Sequence, residues 1–213
     1  MIDDYDKKVI IIGNSPSVLE NKYGAIVDSY DTVIRLNNCP TVGFEQFIGK
    51  KINIWATTKN ILHQDNFYPA EYDNLDYVWH RTNSTKRKCK LPHDNIPSLV
   101  MYKNRFFNNN FKKYEEIFHK TTNHELCTGM LAILTSTVFF RNIDILGFKF
   151  YQNVKDNNYA YYRKSQADKN NKHYEDVFWK EGKASGFVGR EIAKVKKEII
   201  DDLVNKRKIN ILD

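Results

Sequence analysis

Three short polar stops in this chain stand where a phosphate could be held without a metal. Val9-Ile10-Ile11-Ile12 is a β-branched run that breaks at Gly13-Asn14-Ser15. A buried strand, a tight turn and then exposed backbone N–H groups at a helix start is how an open α/β sheet makes a nucleotide cradle. Asn37 stands just past a second apolar run, Thr32 to Leu36, placed to reach a ligand at the same end. Thr128-Gly129 precedes the apolar stretch Met130 to Phe140, where a helix N-terminus would present a hydroxyl and free N–H groups to an anion. Six histidines, His63, His80, His93, His119, His124 and His173, supply the side chain whose pKa best suits a general base near neutrality. Plainer roles compete with each of these. Asn14 and Ser15 serve equally well as caps of a helix after the first strand, and Thr128 as a simple N-cap. Arg35, on an apolar strand, reads as a buried ion-pair partner rather than a ligand, and Tyr161 and Tyr162 as core aromatics.

The elements that must position these residues alternate in type. Strands are expected at Lys8 to Ile12, Thr32 to Leu36, Ile52 to Ala56, Asp76 to His80 and Ile143 to Leu146. Helical spacing of Phe106, Phe107, Phe111, Tyr114, Ile117 and Phe118 predicts a helix over Asn104 to Phe118. A helix or turn is expected from Ser17 to Tyr23 with Gly24 ending it, a further helix from Thr128, and a last one from Arg190 to Asn205. The tail Ile209 to Leu212 would add an edge strand or pack on the sheet. Strands alternating with helices predict a doubly wound, mostly parallel α/β sheet with helices on both faces. The segments Arg81 to Asn95 and Tyr151 to Lys172 lack periodicity and read as long loops.

Composition excludes several classes. At 213 residues, 41% hydrophobic and 14% aromatic, the chain fits one ordered domain, 1–213. No run approaches the ~20 apolar residues of a membrane span, and the acidic start Met1-Ile2-Asp3-Asp4-Tyr5 lacks a signal-peptide pattern. The net charge of +7 gathers in Lys86-Arg87-Lys88-Cys89-Lys90 and in Arg190 to Lys208. The latter interleaves Glu191, Glu198, Asp201 and Asp202, which marks a solvated helix face. No nucleic-acid partner is expected, and attraction to an anionic membrane surface or acidic glycan carries more weight. Three cysteines, Cys39, Cys89 and Cys127, do not make a disulfide framework.

Two ordered stretches together resemble a known family. The first runs from Gly13-Asn14-Ser15 through Asp31-Thr32-Val33-Ile34-Arg35-Leu36-Asn37-Asn38-Cys39-Pro40-Thr41-Val42-Gly43-Phe44-Glu45. It is similar to the long sialyl motif of glycosyltransferase family 29, the sialyltransferases. The second, Cys127-Thr128-Gly129-Met130-Leu131 continuing to Ile143-Asp144-Ile145-Leu146-Gly147-Phe148, resembles the family's short motif. The resemblance implies a variant Rossmann-like (GT-A-like) fold and an inverting transfer of sialic acid, or a related acid such as Kdo, from a CMP-sugar to a glycan hydroxyl. It implies nucleotide contacts at Gly13, Asn14, Ser15, Asn37, Thr128 and Gly129. Tyr161 and Tyr162 match the tyrosine-rich third motif loosely.

His173 falls in the slot of the family's very short motif, His-x-x-x-x-Glu, whose histidine is the catalytic base. The position five after it is Phe178, so Glu181 or Glu175 would have to take the glutamate's place, with Glu181 the catalytic candidate. The nucleotide leaves through a single phosphate, and an Asp-x-Asp motif, the usual manganese clamp for nucleotide diphosphate sugars, is read as missing from the chain, so activity without a metal cofactor is expected. In the family's animal enzymes a disulfide joins the two motifs; the matching positions here are Val9 and Phe140. Loss of both partners together suits a reducing compartment. A cytoplasmic, bacterial or viral enzyme is expected, either naturally soluble or a trimmed catalytic core, acting on capsule or lipooligosaccharide intermediates at the inner membrane. The altered spacing after His173 leaves a second possibility, a nucleotide- or glycan-binding protein of the same fold that has lost catalysis.

Overall fold

In a computed structural model the described residues are 5–37, 39, 41–57, 75–80, 96–101, 109–148 and 187–212. The strands are β1 (Lys8–Ile12), β2 (Thr32–Leu36), β3 (Ile54–Thr57), β4 (Tyr77–His80), β5 (Ser98–Val100), β6 (Asn142–Leu146) and β7 (Asn210–Ile211). They form one sheet in the order β5-β4-β3-β2-β1-β6-β7, and every pairing is parallel. Buried strands of a parallel sheet read as continuous apolar runs rather than alternating ones. Val9, Ile10, Ile11 and Ile12 are accordingly all buried, as is the whole of β2 including Arg35.

Alternate strand residues feed two cores. Val9, Ile11, Ile34, Ile54 and Trp79 pack with the helices α3 (Asn109–Thr122), α4 (Thr128–Phe139) and α5 (Phe187–Asn205). Ile10, Ile12, Val33 and Leu146 pack on the other face with Val18, Val27 and Ile48, from a 3-10 turn (Pro16–Leu19), α1 (Gly24–Asp28) and α2 (Glu45–Ile48). The sheet is therefore doubly wound, as expected. The helix α4 is apolar nearly all round and buries Met130 to Leu134, the pattern of a helix enclosed by its neighbours. In α5 the apolar residues Val195, Ile199, Ile200 and Leu203 face the core, while Lys197 and Asp201 pair on the solvent side at 2.5 Å.

Several boundaries depart from the sequence reading. Gly24 starts α1 instead of ending a helix, because a Cβ there would lie 1.9 Å from the Glu45 carbonyl oxygen: the glycine lets α1 press against α2. The third strand begins at Ile54, since Asn53 turns its carboxamide oxygen to the Val33 N–H at 3.0 Å. Strand β5 was not expected at all. The tail does form an edge strand, β7, pinned where Asn210 Nδ2 donates to Asp144 Oδ1 at 2.8 Å. Tyr30 donates to the other oxygen of that carboxylate at 2.5 Å, and burial and this bond together hold the phenol well above its ordinary pKa. Cys39 and Cys127 are in no disulfide among the described residues, and Val9 and Phe140 are buried apolar core residues. No described helix is long and apolar enough to cross a membrane.

Candidate nucleotide site at the sheet switch point

The chain leaves β1 outward through β2 to β5, then returns to lay β6 against the other side of β1. In open α/β sheets the crevice at the carboxyl ends of two strands flanking such a reversal is where ligands bind. Two glycines build it here. Gly13, leaving β1, donates its N–H to Leu146 O at 2.7 Å, and Ser15 N donates to Gly147 O at 3.2 Å. A Cβ on Gly13 would stand 2.2 Å from the Gly147 carbonyl oxygen, so no larger residue fits without moving backbone. Gly147 has φ +77°, and a Cβ on it would meet Val18 at 2.1 Å. The exits of β1 and β6 are thus locked back to back.

Around that pair the three polar stops converge. Asn14 does not cap a helix: its Nδ2 donates to Leu36 O at 3.0 Å, tying the β1 exit to the end of β2. Ser15 takes the plain role instead, its Oγ accepting from Ser17 N at 3.4 Å and Ser17 Oγ at 3.1 Å. Asn37 sits at φ 48°, a left-handed conformation that asparagine tolerates better than most residues. Its backbone is clamped to β3, with N donating to Ala56 O at 2.8 Å and O accepting from Trp55 Nε1 at 2.8 Å. Phe148 wedges between the glycines of the two motifs, 3.1 Å from a Cβ on Gly13 and 3.2 Å from one on Gly129; Leu36 lies 3.3 Å from the latter. The start of α4 therefore stands over the carboxyl ends of β1, β2 and β6.

Thr128 is corrected in detail. The N-cap of α4 is Cys127, which makes no side-chain cap bond, and Thr128 is the first helical residue, almost fully buried. The first intrahelical bond runs from Leu131 N to Cys127 O, so the N–H groups of Thr128, Gly129 and Met130 are those a helix start leaves open to an anion.

Two buried acceptors carry the chemical argument. Asn14 Oδ1 and Asn37 Oδ1 are both shielded from solvent and have no hydrogen-bond partner among the described residues. Leaving a buried polar atom unsatisfied costs about 1–3 kcal/mol. Two at the mouth of one crevice is the pattern of a site whose donors arrive with a ligand. Arg35 is fully buried, and its described bonds run to main-chain carbonyls, Nε to Lys51 O at 2.9 Å and Nη2 to Ile48 O at 2.7 Å. It holds the segment after α2 rather than reaching the crevice.

The remaining expected site residues are placed unevenly. Tyr161, Tyr162, His173 and Glu181 lie outside the described residues. His124, the other histidine near the α4 start, is exposed, its N–H donating to Thr122 Oγ1 at 3.2 Å. No cluster of metal-ligating side chains occurs among the described residues. The chain does contain one Asp-x-Asp, Asp4-Tyr5-Asp6. Tyr5 and Asp6 precede β1, at the opposite end of that strand from the crevice, where the Arg141 guanidinium lies 4.2 Å from the Tyr5 ring centre. Sequence reasoning named His80 without singling it out, yet it ends β4 on the same edge as Asn37. The only local signal was its place as the last residue of an apolar run.

Residues 4–181 match the family model of glycosyltransferase family 29 (sialyltransferase). Over 54 residues the chain is 46% identical to a beta-1,6-galactosyltransferase of Arabidopsis thaliana, covering 25% of this chain and 14% of that protein. Over 155 residues it is 24% identical to CMP-N-acetylneuraminate-beta-galactosamide-alpha-2,3-sialyltransferase 1 of Gallus gallus, covering 67% of this chain and 44% of that one. The chain thus spans less than half the length of these curated relatives. In fold it is similar to a crystal structure of a mammalian sialyltransferase, with a TM-score of 0.60 at 17% identity over 97% of this chain and 69% of that one.

Proposed function

This chain belongs to glycosyltransferase family 29, the sialyltransferases, and we propose that it is an inverting transferase that moves sialic acid, or a related acid such as Kdo, from a CMP-sugar to a glycan hydroxyl. The observation that carries the reading is the pair of shielded acceptors, Asn14 Oδ1 and Asn37 Oδ1, that find no donor among the described residues at the mouth of the β1/β6 crevice. Such acceptors take donors, and a nucleoside offers both hydroxyl and amino donors. The phosphate then falls to the open N–H groups at the start of α4, where the helix dipole favours negative charge. As the glycosyl bond breaks, charge grows on that one phosphate, and preorganised N–H donors stabilise it where it grows.

The acceptor hydroxyl attacks the anomeric carbon from the face opposite the leaving phosphate, and its proton passes to a base. His173 is proposed for that role, with Glu181 as its partner carboxylate and Tyr161 and Tyr162 on the nucleotide. The chemistry proposed needs no metal cofactor, because backbone and amide donors meet the phosphate charge. The partners proposed are the CMP-sugar and a glycan acceptor, in a cytoplasmic setting at the inner face of a membrane, on capsule or lipooligosaccharide intermediates.

The test is nucleotide release from CMP-N-acetylneuraminate, the donor in the name of the chicken relative, run in excess chelator beside the His173→Ala variant. Release by the wild type should persist in chelator, and His173→Ala should lower it ~10²–10⁴-fold, the range for a lost general base. Turnover that stops in chelator and returns with manganese contradicts the metal-free mechanism. Full activity in His173→Ala moves the base elsewhere. Nucleotide binding without any release would favour the reading as a binding protein that has lost catalysis.

A further inference from the structure

The unpartnered acceptors continue along the sheet edge beyond the crevice. Leu36 pairs with Ala56 and Ala56 with Trp79, so the next rung joins the position of Asn37 to Thr57 and Thr57 to His80. On that rung His80 ends β4, two strands from Asn37, roughly 10 Å away at the ~4.8 Å spacing of neighbouring strands. Side chains alternate along a strand, so His80 points away from Trp79 and to the face that carries Trp55, the partner of Val78. Trp55 is the residue whose indole N–H holds Asn37 O. The imidazole is half-buried, and its Nδ1 is shielded with no hydrogen-bond partner among the described residues. Burial holds its pKa below the ordinary histidine value, which favours the neutral ring near pH 7. Two further buried atoms outside this row, Trp79 Nε1 and Thr135 Oγ1, belong to fully enclosed core residues that no ligand reaches.

We infer that His80 is a hydroxyl-binding residue of the donor site, its Nδ1 hydrogen-bonding a sugar hydroxyl of the bound CMP-sugar. A neutral imidazole can donate or accept at Nδ1, and hydroxyl groups do both, so the pairing needs no charge. A nucleotide sugar seated on Asn14 and Asn37 is long enough to reach the third position of the row. The hydroxyl comes either from the ribose or from the transferred sugar. This inference rests on the CMP-sugar reading above.

The experiment compares CMP and CMP-N-acetylneuraminate binding by calorimetry for the wild type, His80→Ala and His80→Asn, with a melting curve for each protein. Asparagine places its amide group near the position of Nδ1. His80→Ala should weaken binding roughly 2- to 12-fold, the range for one neutral hydrogen bond, and His80→Asn should restore most of it. Loss with both ligands assigns the contact to the ribose; loss with the CMP-sugar alone assigns it to the transferred sugar. Unchanged affinities in His80→Ala overturn the inference and leave the CMP-sugar reading standing. So does an affinity loss that asparagine does not restore, which marks a packing role. A wild type that binds neither ligand overturns the CMP-sugar reading and His80's role with it. Should His80→Ala fail to fold, the His80 ring signals of histidine-labelled wild type decide by NMR. They must shift on saturation with CMP-N-acetylneuraminate, and signals that stay in place refute the contact.

Discussion

Asn37 combines two features that rarely coincide by accident: a left-handed backbone and a shielded carboxamide oxygen with no described partner. The first follows from its position, where the chain must turn off β2 while its N–H and C=O stay bonded to Ala56 and Trp55. The second is met by no donor among the described residues. Asn37→Gly separates them, since glycine accepts φ 48° freely and removes only the carboxamide. CMP affinity should fall about 5- to 12-fold, equivalent to ~1–1.5 kcal/mol for one hydrogen bond, while the melting temperature changes little. Calorimetry on both proteins checks this. A melting temperature that collapses, with CMP affinity per folded molecule unchanged, would make Asn37 a turn residue and nothing more.

At the scale of elements, the β1–turn and β6–turn junction carries the site, and Gly13 is its tightest point. Gly13→Ala brings a methyl group against the Gly147 carbonyl at about van der Waals overlap, and the contact is with backbone rather than a flexible side chain. Overpacking of this kind costs roughly 1–3 kcal/mol, and the two strand exits must part to relieve it. CMP binding should be lost while far-UV circular dichroism stays native; retained CMP affinity would show that the β1/β6 exit is not the cradle. The core strands and the apolar α4 were legible in the sequence because buried runs such as Val9 to Ile12 announce themselves locally. Gly24 misled because its reason is non-local, the approach of Glu45 from α2. Strand β5 escaped notice because Ser98-Leu99-Val100 is three residues long and gains its role only by pairing with β4. The site divides the same way. Asn14, Asn37 and the Thr128-Gly129 turn stood out by local pattern, whereas His80 acquires its place from register across three strands. The roles of Ser15 and Arg35 were decided by partners many residues or one turn away: Ser17 for the one, Ile48 and Lys51 for the other.

Taken whole, the molecule is a parallel sheet whose carboxyl edge carries Asn14 Oδ1, Asn37 Oδ1 and His80 Nδ1 without partners among the described residues. A ligand that satisfies them binds the folded state only, so saturation must raise stability by roughly 2.7 kcal/mol at one hundred times its dissociation constant. For a chain of this size that is about 5–11 °C in melting temperature. The net charge of +7 draws any nucleotide toward the surface, so an anion as such is a poor discriminator. The base and the number of phosphates discriminate better. The most direct measurement is therefore a calorimetric titration of the wild-type chain with CMP and with UDP at the same ionic strength, repeated on Asn37→Gly. CMP should bind, UDP should bind much more weakly, and the preference for CMP should shrink in the variant. Equal affinity of the wild type for both nucleotides, or no binding of CMP, would contradict a CMP-sugar site at the β1/β6 crevice.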